Sequence, residues 1–165
     1  MDRNAHQLSL NVDSTARALA QWTVSRLDEA DPTLGERYGD DWRARWLRDV
    51  QVRVHQLAQA VAMGSPELFI ASVRWSQAAY LARRVDASDM QRALECLGEV
   101  IEHEVPAPMK AALHPMVTAA VEAIKSEPDF ADAHDIRDRR IDPESPTGLM
   151  TLRYLEALLD GDQHS

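Results

Sequence analysis

The sequence has 165 residues, of which 45% are hydrophobic and 27% are charged. These values are usual for a globular domain and exclude collagen-like, low-complexity and wholly disordered chains. The formal net charge is −9, which repels a phosphate backbone, so we expect no direct nucleic-acid partner.

Cysteine and hydropathy patterns predict a cytoplasmic protein with no membrane partner. Cys96 is the only cysteine, so an intramolecular disulfide and a cysteine-rich zinc site are excluded. No apolar stretch reaches the ~18 residues of a membrane span, and no signal-peptide run follows the first residues. The length predicts one domain, or one domain with an appendage.

Apolar residues recur with the period of a helix, and almost none alternate with the period of a strand, which predicts an all-α fold. A first helix is predicted over 8–28, with Leu19, Trp22 and Leu27 on a broad apolar face. Pro32, Gly35 and Gly39 predict a loop or a short turn of helix over 32–41.

The second helix has the clearest pattern, with apolar residues at steps of three and four: Trp42, Trp46, Val50, Val54, Leu57 and Val61. Gly64 ends it, and Ser65-Pro66-Glu67 is typical of a helix start. The third helix, 66–84, is apolar over more than half of its circumference, so we expect it to be central and buried on two sides.

Asp86-Ala87-Ser88-Asp89 resembles a capping box, with Asp89 in place of the usual glutamate. It precedes a fourth, amphipathic helix that ends before Pro106-Ala107-Pro108. A fifth helix is predicted over 109–125, where Pro115 should kink or restart the first turns.

Two segments follow this domain of residues 1–125. The stretch 126–147 is rich in charge and proline and is predicted to be a mobile polar linker. The stretch 148–160 is leucine-rich and predicts a short helix that docks on the first helix of its own or a neighbouring chain. The sequence thus predicts a globin-like fold or a five-to-six-helix bundle with a C-terminal helix after a linker. One core is expected to hold Trp46, Val50, Leu57, Val73, Trp75, Leu94, Leu97 and Ile101.

No catalytic or phosphate-binding motif and no metal-binding Glu-x-x-His pair occurs, so we expect a protein that is not an enzyme and holds no metal. His55 lies beside the second helix's apolar stripe and is predicted to be a boundary residue. His103 lies in the last turn of the fourth helix, where a protonated imidazole suits the helix dipole, and His114 precedes Pro115. Tryptophans such as Trp46 and Trp75 are expected to pack in the core.

An alternative interpretation of these residues is a ligand site. Trp46 and Trp75 would line a pocket for a flat apolar molecule, and His55, His103 or His114 would be its axial ligand. The cofactor would then be a tetrapyrrole, namely haem, a bilin or cobalamin. Without such a site, no cofactor is expected.

The run Leu152-Arg153-Tyr154-Leu155-Glu156-Ala157-Leu158-Leu159-Asp160-Gly161-Asp162 resembles the opening helix of the four-helix cap in cobalamin-binding modules. The rest of that cap and the α/β cobalamin fold with its Asp-x-His-x-x-Gly motif are absent. Asp132-Ala133-His134-Asp135-Ile136-Arg137 matches its first elements but has arginine where glycine is required.

The larger part, 42–124, is similar to the helical N-terminal domains that precede such modules in bacterial sensors and regulators, and more distantly to the non-haem globin-like N-terminal domains of stressosome sensors. The residues that carry this similarity include Trp46, Asp49 and Val50, and the runs Pro66-Glu67-Leu68-Phe69 and Val73-Arg74-Trp75. It implies a non-catalytic sensory or dimerising domain in bacterial signal transduction.

We therefore expect a regulatory domain that acts through dimerisation and protein contact. A symmetric homodimer would cover the surplus apolar surface, and a further protein would be the signalling partner. Whether the chain is a fragment or a natural short protein stays open at this point.

Overall fold

Six α-helices account for most of residues 3–82 and 84–125, the part of the chain that the computed structural model describes, and no strand occurs there. The predicted all-α bundle is confirmed. The helices are α1 Arg3–Ala30, α2 Leu34–Tyr38, α3 Trp42–Met63, α4 Pro66–Ala82, α5 Ala87–Glu104 and α6 Ala107–Lys125. The predicted linker 126–147 and terminal helix 148–160 lie outside the described residues.

A local signal sets the end of α3. Gly64 follows α3 with a φ of 60°, a conformation that glycine adopts without steric cost. Its N–H donates to the Val61 carbonyl at 3.1 Å, and the Ser65 N–H donates to the Ala60 carbonyl at 3.0 Å. This pair of bonds is the Schellman motif, and it satisfies carbonyls that the helix end leaves free.

Three sequence predictions about helix ends need correction. α1 begins at Arg3, five residues before the predicted start. The apolar pattern locates the packed part of a helix, and here the helix continues through polar residues that precede that part. α6 begins at Ala107, with Pro108 in the first turn, where proline needs no intrahelical partner. α6 also continues through Pro115 and does not restart there; this proline is exposed.

The core lies where α3 and α5 meet their neighbours. α3 packs against α1, α2, α4 and α6, and α5 packs against α1, α4 and α6. Seven of the eight predicted core residues are buried: Trp46, Val50, Leu57, Val73, Leu94, Leu97 and Ile101. The eighth, Trp75, is 73% exposed, so its prediction as a core residue is wrong.

The prediction that the Pro66–Ala82 helix is buried on two sides is also wrong. Phe69 and Val73 on one face of α4 are fully buried, whereas Leu68 and Trp75 on another are 49% and 73% exposed. Periodicity shows which residues share a face, but it does not show whether another helix covers that face. α4 therefore carries apolar surface that no other described helix covers.

The start of α5 combines a predicted cap with an unexpected partner. The Asp86 carboxylate accepts a 2.9 Å bond from the Ser88 N–H, as predicted for an N-cap. In a capping box the third residue after the cap accepts from the cap's own N–H. Here the Tyr38 hydroxyl accepts from the Asp86 N–H at 3.2 Å and donates to the Asp89 carboxylate. α2 is thereby tied to the first turn of α5.

None of the helices in the described ranges is long and apolar enough to cross a membrane.

Candidate functional site

A cavity of about 470 Å³ opens beside the N-terminal half of α3. Its walls come from α2, α3, α4 and the segment before α5. We call it the aromatic cleft, and its lining residues are Tyr38, Trp42, Arg45, Trp46, Arg48, Asp49, Val52, Tyr80 and Val85. Its volume falls within the range of roughly 300–1,000 Å³ that is typical of small-molecule sites.

Three rings of the aromatic cleft pack against one another. The Tyr38 and Trp46 ring centroids are 6.2 Å apart with planes inclined at 70°, and those of Trp46 and Tyr80 are 6.0 Å apart at 57°. The Tyr38–Trp46 contact is edge-to-face, which is favourable because the positive edge of one ring meets the negative face of the other. The Trp46–Tyr80 pair is tilted. Trp46 is only 6% exposed, so this wall is fixed by packing.

Both tyrosine hydroxyls of the aromatic cleft are held in the neutral form. Burial raises the pKa of Tyr38, and its hydrogen bond to Asp89 raises it further. Burial also raises the pKa of Tyr80 strongly, and the charge of Asp49 adds to this effect. At neutral pH the two hydroxyls therefore serve as uncharged hydrogen-bonding groups.

The charged residues of the aromatic cleft differ in their partners. Arg45 donates to the Tyr38 carbonyl and to the Asp41 carboxylate, the latter at 2.8 Å. Asp49 lies 3.6 Å from the Arg53 guanidinium, which is 4% exposed and donates to the Ser76 hydroxyl at 2.6 Å.

Arg48 is exposed, and its guanidinium has no ion pair or hydrogen bond to any side chain or backbone group in the described ranges. It is therefore the lining cation whose donors are available to a bound molecule.

The three candidate histidines lie away from the aromatic cleft. His55 contacts Asp13 of α1 through Nδ1, and its side chain is 41% exposed, which fits the prediction of a boundary residue. His103 and His114 together line a shallow groove of about 380 Å³ between α5 and α6. There His114 Nε2 lies 3.9 Å from Glu102 Oε2.

The structure thus brings His103 and His114 together but separates them from Trp46. Within 3–82 and 84–125, no group of three or more histidine, cysteine or acidic residues is arranged to hold a metal ion. The tetrapyrrole hypothesis stays a prediction, and the candidate residues named for it do not form one site.

Cys96 is buried, as a small core residue should be. Burial raises the pKa of its thiol to about 11. Because the thiolate is the nucleophilic form, the thiol is protonated and unreactive at neutral pH.

Trp75 belongs to a second surface, which we call the α4 face. Four exposed residues at steps of three, four and three define it: Leu68, Ala71, Trp75 and Ala78. This spacing is that of the seam in a pair of packed helices.

Sequence reasoning missed both surfaces, although their spacing was visible. Trp42, Arg45, Trp46 and Asp49 follow the steps of three and four that place residues on one helix face. Tyr38, Tyr80 and Val85 come from three other segments, and only the tertiary fold shows that they join this face.

Comparison of the chain with models of protein families, with curated proteins and with solved structures finds no match.

Proposed function

We propose that this chain is a non-catalytic regulatory domain in bacterial signal transduction, which pairs with a second copy of itself and acts through protein contacts. The observation that carries the proposal is the α4 face. Its central residue, Trp75, is the most exposed large hydrophobic side chain among the described residues, at 73%.

The free energy of solvation favours covering the α4 face. Burying a large apolar side chain stabilises a structure by about 1.5–3 kcal/mol relative to leaving it in water. Trp75 and Leu68 both forgo much of this in an isolated domain. Scattered exposed apolar residues need no explanation, but a contiguous row at helix-pairing spacing is typical of an interaction surface.

The α4 face is complementary to itself. If two copies pair antiparallel through the α4 face, about a two-fold axis at the level of residue 73 along the helix, Trp75 faces the partner's Ala71, and Leu68 faces the partner's Ala78. Every large side chain then meets a small one, and interdigitation of this kind gives close packing. A two-fold axis also generates both contacts twice, as in most soluble homodimers.

The charge of α4 permits this approach. The chain carries a formal net charge of −9, which opposes self-association in general. The α4 sequence contains one acidic residue, Glu67, and one basic residue, Arg74. The helix is therefore neutral, and two copies of this face meet without net repulsion.

The aromatic cleft supports the non-catalytic part of the proposal. Its carboxylate, Asp49, lies beside Arg53, and its two tyrosines are neutral at pH 7. General acid–base catalysis needs a group whose pKa lies near the working pH, whereas these tyrosine pKa values are raised away from it.

Sedimentation velocity tests the proposed pairing. A face one helix long is small compared with the roughly 800 Å² per partner of a stable interface, so we expect association in the micromolar range. The wild-type protein should shift from monomer to dimer as its concentration rises from about 1 to 300 µM. Trp75→Ala should stay monomeric over this range. Trp22→Ala, which removes a 47% exposed tryptophan of α1, should dimerise like the wild type.

A pair of substitutions tests the antiparallel arrangement. Ala71→Trp alone places two tryptophans against each other and should prevent pairing. The double variant Ala71→Trp with Trp75→Ala again sets one large residue against one alanine, so it should recover the dimer. A wild-type protein that is monomeric over the whole concentration range refutes the proposal. A Trp75→Ala variant that dimerises like the wild type shows that the interface lies elsewhere.

A further inference from the structure

We propose that the aromatic cleft binds a planar aromatic carboxylate, with its ring system among the tryptophan and tyrosine rings and its carboxylate on Arg48. This inference goes beyond the proposed pairing and is independent of it, because no residue of the α4 face lines the cleft.

The aromatic lining of the cleft favours a flat ring system. The aromatic residues Tyr38, Trp42, Trp46 and Tyr80 contribute to its walls. Flat rings gain free energy by stacking on or meeting the edges of other rings, beyond the gain from buried area alone. The Tyr38, Trp46 and Tyr80 rings are already packed against one another, so a ligand does not have to order this wall.

Hydrogen bonds also fix the wall. Tyr38 is tied to Asp89 and to the backbone of Asp86, and Asp89 in turn accepts from Arg37 at 2.5 and 3.1 Å. Preorganised groups lower the entropic cost of binding. The cleft is therefore built before any ligand arrives.

The charge distribution favours an anion. Arg45 is engaged by Asp41 and by the Tyr38 carbonyl, and Asp49 is offset by Arg53 at 3.6 Å. Arg48 has no such partner in the described ranges. A guanidinium presents its N–H donors in a fork that matches the two oxygens of a carboxylate.

The opening of the cleft supplies apolar contact. Val52 is 51% exposed and lines the cleft one turn beyond Arg48 on α3. Residues four apart on a helix are surface neighbours. An aromatic carboxylate seated on Arg48 would thus also cover Val52.

Isothermal titration calorimetry with two matched probes tests the proposal. The probes are 2-naphthoate and its neutral analogue 2-naphthamide, titrated into the full chain. Because a guanidinium binds a charged carboxylate more strongly than a neutral amide carbonyl, we expect naphthoate to bind at least about tenfold more tightly than naphthamide. Arg48→Gln should therefore reduce the affinity for naphthoate much more than the affinity for naphthamide, so that the two affinities become similar.

Two further variants separate the cleft from other surfaces. Val52→Asp adds a negative charge at the exposed opening without touching the core, so it should weaken naphthoate more than naphthamide. Arg74→Gln removes an exposed arginine of α4 that does not line the cleft and should leave both affinities unchanged.

Three results would overturn the inference. They are the absence of naphthoate binding at millimolar concentration, equal affinity for the two probes, and loss of binding in Trp75→Ala, which would place the probe on the α4 face. Failure of the protein to dimerise would refute the proposed pairing but leave these expectations unchanged.

Discussion

At the scale of single residues, Asp89 is the side chain of α5 that accepts hydrogen bonds from α2. It is 3% exposed, and it accepts hydrogen bonds from both Arg37 and Tyr38 of α2. The bond to Asp89 is the largest cause that raises the pKa of Arg37, which is therefore fully protonated. Arg37 also bonds Asp31 at 2.5 Å, so one guanidinium fixes the connection between α1 and α2 against α5.

Asp89→Asn should destabilise the fold by about 2–3 kcal/mol, because hydrogen bonds to charged groups contribute about 1.5–3 kcal/mol and Arg37 keeps partial contact with water. The measurement is the free energy of unfolding by urea, followed by circular dichroism. Asp41→Asn is the control. It removes an exposed ion pair with Arg45 and should cost no more than about 1 kcal/mol. An Asp89→Asn variant as stable as the control would show that this cluster contributes little.

At the scale of helices, sequence patterns predicted what depends on near neighbours. The end of α3 at Gly64 and the cap of α5 at Asp86 both follow from residues within one turn. The exposed position of Trp75 was not predictable in this way, because Trp75 and the buried Val73 belong to one apolar helix. Which of its faces is covered depends on how distant helices pack.

Leu97→Ala in α5 tests the packing of an element that the sequence did predict. Leu97 is 1% exposed, and truncation of a fully buried leucine costs about 2–5 kcal/mol because a cavity remains. We expect a loss of this size in urea unfolding. Leu10→Ala, at a 50% exposed position of α1, should change stability by less than about 0.5 kcal/mol. Equal losses of stability in the two variants would show that Leu97 is not a core residue.

At the scale of the whole molecule, the all-α bundle was predictable and the site was not. Trp46 was the one predicted site residue that lines the aromatic cleft, together with residues that are as far apart as Tyr38 and Val85. The two histidines that do meet, His103 and His114, come from helices that pack against each other. Such residues come together because their helices pack against each other. No short pattern in a single sequence shows which helices will pack together.

The stability of the whole fold should fall at alkaline pH. The pKa values of Tyr38 and Tyr80 are raised in the fold, and that of Cys96 is raised from 9.0 to about 11. A raised pKa means that the fold favours the neutral form. This stabilisation is complete below the unfolded pKa values of about 8.5–10 and is lost as pH rises through the folded values.

Urea unfolding at about pH 8 and about pH 11 measures this loss. Tyr80→Phe removes a group whose pKa burial and Asp49 raise strongly, so this variant should lose less stability than the wild type between the two pH values. Cys96→Ala should show a smaller loss for the same reason. If both variants lose as much as the wild type, these groups do not control the alkaline stability.

The bond between the Tyr38 hydroxyl and the Asp86 amide joins the cleft to the start of α5. α2 has five residues, too few to be stable as an isolated helix, because helix nucleation is unfavourable. Each transient opening of α2 therefore breaks a wall of the cleft and releases the Asp86 amide proton to solvent. The hydrogen-exchange rate of the Asp86 amide therefore reports how often this wall of the cleft opens. Any molecule that holds Tyr38 in place should slow that exchange.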